Sequence, residues 1–167
     1  MSVNQGRTLL GNSRIVEGID PPRTEEGNII EGVSVPEYRV VSEDGVNYLA
    51  ELKTPDGNFT STNARRNLSD AMSQIREEAL NTGTKGYIRI DYITSNAPPT
   101  ALTPDEIFRA VNGELQASRQ IEIGGETREI RGVNFVEFVE ILYQELSGQS
   151  QKRLYRVQNS SVIDITN

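Results

Sequence analysis

The feature that most constrains this chain is a change of hydrophobic period, from two to about 3.6 and back to two, between residues 46 and 93. Val46, Tyr48, Ala50 and Leu52 alternate with Asn47, Leu49, Glu51 and Lys53, which is the period of a strand. Pro55-Asp56-Gly57-Asn58 then breaks the run. Ala64, Leu68, Ala71, Met72, Ile75 and Ala79 recur at helical spacing. They predict an amphipathic helix over 62–80, with Gly83 just past its end. Tyr87, Arg89, Asp91 and Ile93 alternate with Ile88, Ile90 and Tyr92, which predicts a second strand over 87–93. Strand, long helix and strand make a βαβ unit, so the two strands are expected to be parallel neighbours.

Turn and cap signals extend this core. Tyr38, Val40 and Val41, the turn Ser42-Glu43-Asp44-Gly45 and the run from Val46 read as a hairpin. Thr103, Pro104 and Glu106 mark the start of a second helix with a capping box. A short hairpin is expected over 119–131 around Gly124-Gly125. Asn134 and Glu137 read as the start of a third helix, with Phe135, Phe138, Val139, Leu142 and Leu146 inward and Gly148 at its end. Residues 154–165 close the chain as a β pair around Asn159-Ser160. Residues 1–32 read as an irregular arm whose apolar pieces, Ile15-Val16 and Ile29-Ile30, can dock on the body. Residues 33–167 read as one domain. The expected class is α/β (α+β), a mixed sheet flanked by helices.

Composition removes whole families of chemistry. The 167 residues include no cysteine and no histidine. That excludes thiol nucleophiles, zinc–thiolate sites, Ser-His-Asp triads and histidine-metal nucleases. Catalysis here would run on carboxylates, lysine, hydroxyls or a hard metal ion held by oxygens. No run approaches the length of a membrane helix, and residues 1–7 lack the apolar core of a signal peptide. Net charge is −7, the wrong sign for coating nucleic acid non-specifically. The middle third, 60–98, is the stretch that is not acid-rich, and it offers Arg65, Arg66, Arg76, Lys85 and Arg89 to phosphate.

Within that frame Glu51-Leu52-Lys53 stands out, because residues two apart on a strand share a face. A bare Glu-x-Lys also reads as an ordinary solvated ion pair. Pro36-Glu37 opens the partner strand of the hairpin, and strand pairing can bring Glu37 near Glu51. Two carboxylates without histidine suit Mg²⁺ or Mn²⁺. A neighbouring lysine can orient or deprotonate a water and offset charge in the transition state. Glu31 and Glu17 are candidates for a third carboxylate, although each also reads as a surface residue. Asp44 is accounted for by its turn.

These residues resemble the PD-(D/E)xK phosphodiesterase superfamily, best over 35–93. Glu37 looks like the first acid, with Glu in place of the more usual Asp; Glu51 and Lys53 look like the second acid and the lysine. Glu51-Leu52-Lys53-Thr54-Pro55, a polar loop and a helix bearing Asn67 and Gln74 further resemble the C-terminal nuclease domains of contact-dependent growth inhibition toxins. The resemblance implies a restriction-endonuclease-like core and a divalent metal at Glu37 and Glu51, with Mg²⁺ or Mn²⁺ ahead of Zn²⁺. Lys53 would be catalytic with Glu37 and Glu51, and Arg65, Arg66, Asn67 and Gln74 would contact substrate. It also implies a toxin domain delivered into a target cell as part of a larger secreted protein. There it would act in the cytoplasm on tRNA or other RNA in preference to duplex DNA, and a cognate immunity protein would restrain it. The helix face with Asn63, Arg66, Asn67, Asp70 and Gln74 reads equally as a solvated face. The competing function is a non-enzymatic acidic binding protein, such as a nuclease inhibitor or assembly component, whose charge suits a basic partner.

Overall fold

A computed structural model describes the backbone of Arg14–Gly18 and Tyr38–Val41, and residues 45–167 in full. Nine strands and two helices are present among the described residues. The strands are β1 (Arg14–Gly18), β2 (Tyr38–Val41), β3 (Asn47–Lys53), β4 (Lys85–Asp91), β5 (Arg119–Ile123), β6 (Glu126–Ile130), β7 (Val136–Gln144), β8 (Ser150–Gln158) and β9 (Ser161–Asp164). The helices are α1 (Ser61–Thr82) and α2 (Pro104–Gln116). Seven strands form one sheet in the order β1-β2-β3-β4-β7-β8-β9, and β5 and β6 pair separately. The sheet is mixed: β3, β4 and β7 run parallel, and the flanking pairs are antiparallel. The molecule is therefore α+β, as the periodicities imply. Among the described residues no helix is long and apolar enough to cross a membrane.

Both helices pack on one face. Leu68, Ile75 and Ala79 of α1 and Ile107, Val111 and Leu115 of α2 join Leu49, Ile88, Ile90, Val139 and Ile141 of the sheet in one buried cluster. The expected stripe of α1 is buried at every position. Thr60 caps α1 through its hydroxyl, and Gly83 ends it in the left-handed region at φ 74°, where glycine carries no Cβ penalty. Thr103 and Glu106 form the expected capping box on α2. The other face of the sheet holds Tyr48, Ala50, Leu52 and Tyr87, with Phe138 and Leu154 against them.

Five expectations are corrected. Residues 136–144 form β7 and not a helix. The segment pairs with β4 and β8 along its two edges, and residues of both of its faces are buried, Val139 and Ile141 on the helix side and Glu140 on the other, so its pattern never alternates cleanly. Leu146, expected inward, is 71% exposed beyond the strand end. The strand expected over 87–93 ends at Asp91. The Asp91 carboxylate accepts from the backbone N–H groups of Ile93 and Thr94 and so starts a turn. Ile15 and Val16, placed in an irregular arm, belong to β1, which pairs with β2. Asn63, expected on a solvated face, is buried.

Candidate active site

β3 carries Glu51 and Lys53 on the face turned toward the helices, in line with buried Leu49. Parallel pairing sets Glu51 opposite Ile88 and Lys53 opposite Ile90. Lys53 Nζ lies 4.0 Å from Glu51 Oε1. This is not the solvated pair that a bare Glu-x-Lys suggests. Glu51 is 4% exposed, and its charge is held in a place where neighbouring charges act strongly.

The backbone register bears on the first acid. β2 and β3 pair Tyr38 with Ala50, the position one short of a Glu37–Glu51 pairing. Glu37 itself lies outside the described residues, as do Glu31 and the side chain of Glu17. Among the described residues no three carboxylates gather into a metal site. The described donor at the motif is a carboxylate, in a chain without histidine or cysteine, and oxygen donors fit a hard cation.

The segment after Lys53 is anchored by Asn63. Its Nδ2 donates to the carbonyl of Asp56 (3.1 Å), and its Oδ1 accepts from the Tyr92 hydroxyl (2.7 Å) and from Asn67 Nδ2 (3.0 Å). Tyr92 stacks on Phe59 with centroids 4.3 Å apart. The Thr100 hydroxyl donates to the carbonyl of Phe59 (2.8 Å). One asparagine thus joins α1, the 54–60 loop and the exit of β4. All three lie where β3 and β4 end, the end of parallel strands at which α/β sheets bind ligands. Burial raises the Tyr92 phenol above its ordinary pKa, against the pull of nearby Arg66, so the hydroxyl stays a donor.

The remaining expected contacts separate. Arg65 is turned toward α2, where its Nε donates to Glu114 (3.2 Å). Arg66 is exposed and close enough to Tyr92 to act on it electrostatically. At about 100° per residue, Asn67 and Gln74 fall on the flank of α1 opposite Arg65. That flank is turned away from α2, and both residues are half-buried there. Of the other bases expected to meet phosphate, Arg89 is buried with its Nε 3.4 Å from Glu140 Oε1. Lys85 donates to the carbonyl of Asn134 (2.9 Å).

Two polar groupings escaped the sequence reading. On the sheet face away from the helices, Glu140 receives the Tyr87 hydroxyl (2.8 Å) beside Arg89. Glu137 receives the Tyr48 hydroxyl (2.9 Å) and Arg156 (3.4 Å). Glu137 reaches that face because pairing slips between Gly86 and Tyr87, from Val136 to Phe138, and leaves it as the extra residue of a bulge. The alternation of Tyr87 with Arg89 was a usable signal. Glu137 and Glu140 were not, because they passed for the polar face of a helix.

A scan against protein-family models, a search of curated proteins and a search of solved structures each gave no match.

Proposed function

We propose that the chain is a metal-dependent nuclease of PD-(D/E)xK type, a toxin effector domain that hydrolyses phosphodiester bonds in tRNA or other RNA. The observation that carries this reading is the placement of Glu51 and Lys53, 4.0 Å apart on the helix-facing side of β3. The strand is followed by a helix and a parallel strand, as the resemblance requires. Asn67 and Gln74, half-buried on the flank of α1 turned away from α2, support it as substrate contacts.

In this reading Glu37 and Glu51 hold Mg²⁺ or Mn²⁺. The cation, when bound, supplies Lewis acidity toward the phosphodiester. Lys53 orients the attacking water and offsets developing charge on the phosphoryl oxygens. Glu51, being buried, holds its carboxylate in one orientation. Gln74 offers an amide donor to the substrate; the Asn67 amide nitrogen is held on Asn63, which leaves its amide oxygen to accept, and Arg66 is exposed and acts on Tyr92 electrostatically.

The net charge of −7 favours a second reading, an acidic protein that binds a basic partner. One experiment separates the two. The purified protein is incubated with tRNA, plasmid and single-stranded DNA in Mg²⁺, Mn²⁺ or Zn²⁺, then with EDTA. The nuclease reading expects tRNA cleavage that needs metal and stops with chelation. Intact substrates under every metal would leave the binding protein standing.

A further inference from the structure

A cavity of about 360 Å³ opens between the C-terminal half of α1 and the β5–β6 hairpin, within the range of small-molecule sites. Leu80, Ile121 and Ile123 give it an apolar wall that continues the core. Arg76 lines it as well. Two arginines that line a smaller adjoining cavity are engaged within the protein. Arg119 binds Glu114 (2.5 Å), and Arg131 binds the side-chain carbonyl of Gln116 (2.8 Å). Arg76 is different. Among the residues whose side chains are described, it is the one arginine that is neither exposed nor given a hydrogen bond or ion pair. Burial and then the Arg119 charge hold its pKa below the ordinary guanidinium value. None of its nitrogens is sealed from solvent, so the guanidinium stands at the cavity as a charged donor that water reaches and a ligand can claim.

We propose that this cavity binds a small monoanionic amphiphile, with its anionic group on the Arg76 guanidinium and its apolar body on Leu80, Ile121 and Ile123. Charge-assisted hydrogen bonds to a planar guanidinium give the head group its hold. Glu77 and Glu122 stand exposed at the rim and disfavour a dianion. The site is independent of Glu51 and Lys53 and does not rest on the nuclease reading.

The test titrates the full chain with 8-anilinonaphthalene-1-sulfonate, followed by fluorescence, with octanoate and inorganic phosphate as competitors. Saturable binding that octanoate displaces and phosphate does not is expected. Arg76→Gln should weaken it by ~10-fold or more, and Arg128→Gln, at an exposed and unpaired arginine on the same hairpin, should not. Equal affinity in wild type and Arg76→Gln would overturn the proposal. So would displacement by phosphate as effective as by octanoate, or no saturable binding at millimolar probe. Should Arg76→Gln fail to melt cooperatively, backbone amide shifts of the wild type with octanoate decide. Shifts at 76–80 and 121–123 support the site, and shifts confined elsewhere overturn it.

Discussion

Glu140 shows how far one buried carboxyl can shape the response of this fold to pH. Burial pushes its pKa up, against the pull of Arg89, the Tyr87 hydroxyl and Lys152, while Asp91 adds repulsion. A group whose folded pKa lies above the unfolded value favours the fold in its protonated form. Its contribution is complete below the ordinary 4.5 and is lost as pH rises through the folded pKa. Glu140→Gln removes that titration. Urea midpoints of variant and wild type should therefore shift in the variant's favour as pH rises above 4.5; parallel pH profiles would count against this. Arg76 gives a second residue-level test. With no acceptor to lose, Arg76→Met should leave the unfolding temperature unchanged or raise it. A fall of several degrees would mean that the guanidinium is satisfied after all. Neither the burial of Glu140 nor the lack of a partner at Arg76 was legible from one sequence. Arg76 sits at an ordinary polar position of a helix, and the burial of Glu140 depends on strands more than fifty residues apart in the chain. Glu51 and Lys53 were legible as a pair, because spacing alone puts them on one face. That Glu51 is buried was not legible, since it depends on what α1 and β4 cover.

At the scale of elements, two glycines should respond with opposite signs. Gly132 lies under α2, and a Cβ there would come 2.5 Å from Met72 Sδ and 3.2 Å from the Leu115 Cα, which is backbone. Gly132→Ala should cost about 1–3 kcal/mol by overpacking. Gly113 is inside α2, and a Cβ there would meet Arg65 at 3.5 Å, an ordinary contact. Gly113→Ala should stabilise by about 0.5–1 kcal/mol through helix propensity. Denaturant unfolding of the two variants checks both signs. Asn63→Ala strands the buried Tyr92 hydroxyl and releases the carbonyl of Asp56; about 1–3 kcal/mol is expected from the hydroxyl alone. The helices and hairpins could be read because their signals are local: the stripe of α1, the box at Thr103 and Glu106, the turns at Gly124-Gly125 and Asn159-Ser160. β7 could not. Phe135, Phe138, Val139, Leu142 and Leu146 fit a helical stripe, and what makes the segment a strand is the presence of β4 and β8 on its two sides.

Over the whole molecule, the acidic balance and the fate of the basic residues limit how the proposed nucleic-acid substrate would be held. Of the five bases in the middle third, Arg65, Arg89 and Lys85 are already engaged within the protein. Arg66 remains exposed and acts on Tyr92 electrostatically. Substrate binding should therefore show a shallow salt dependence, equivalent to about two to four phosphates. Arg66→Glu should weaken it more than Arg128→Glu, which reverses an exposed charge on β6; equal losses would contradict this placement of the substrate. Whether Glu51 and Lys53 act as the proposed catalytic pair is decided by single-turnover cleavage of tRNA in Mg²⁺ by wild type and Lys53→Ala. Lys53→Ala should lose about 10²–10⁴-fold in rate, with the metal-induced rise in melting temperature unchanged between the two proteins. Cleavage by Lys53→Ala at the wild-type rate would contradict it.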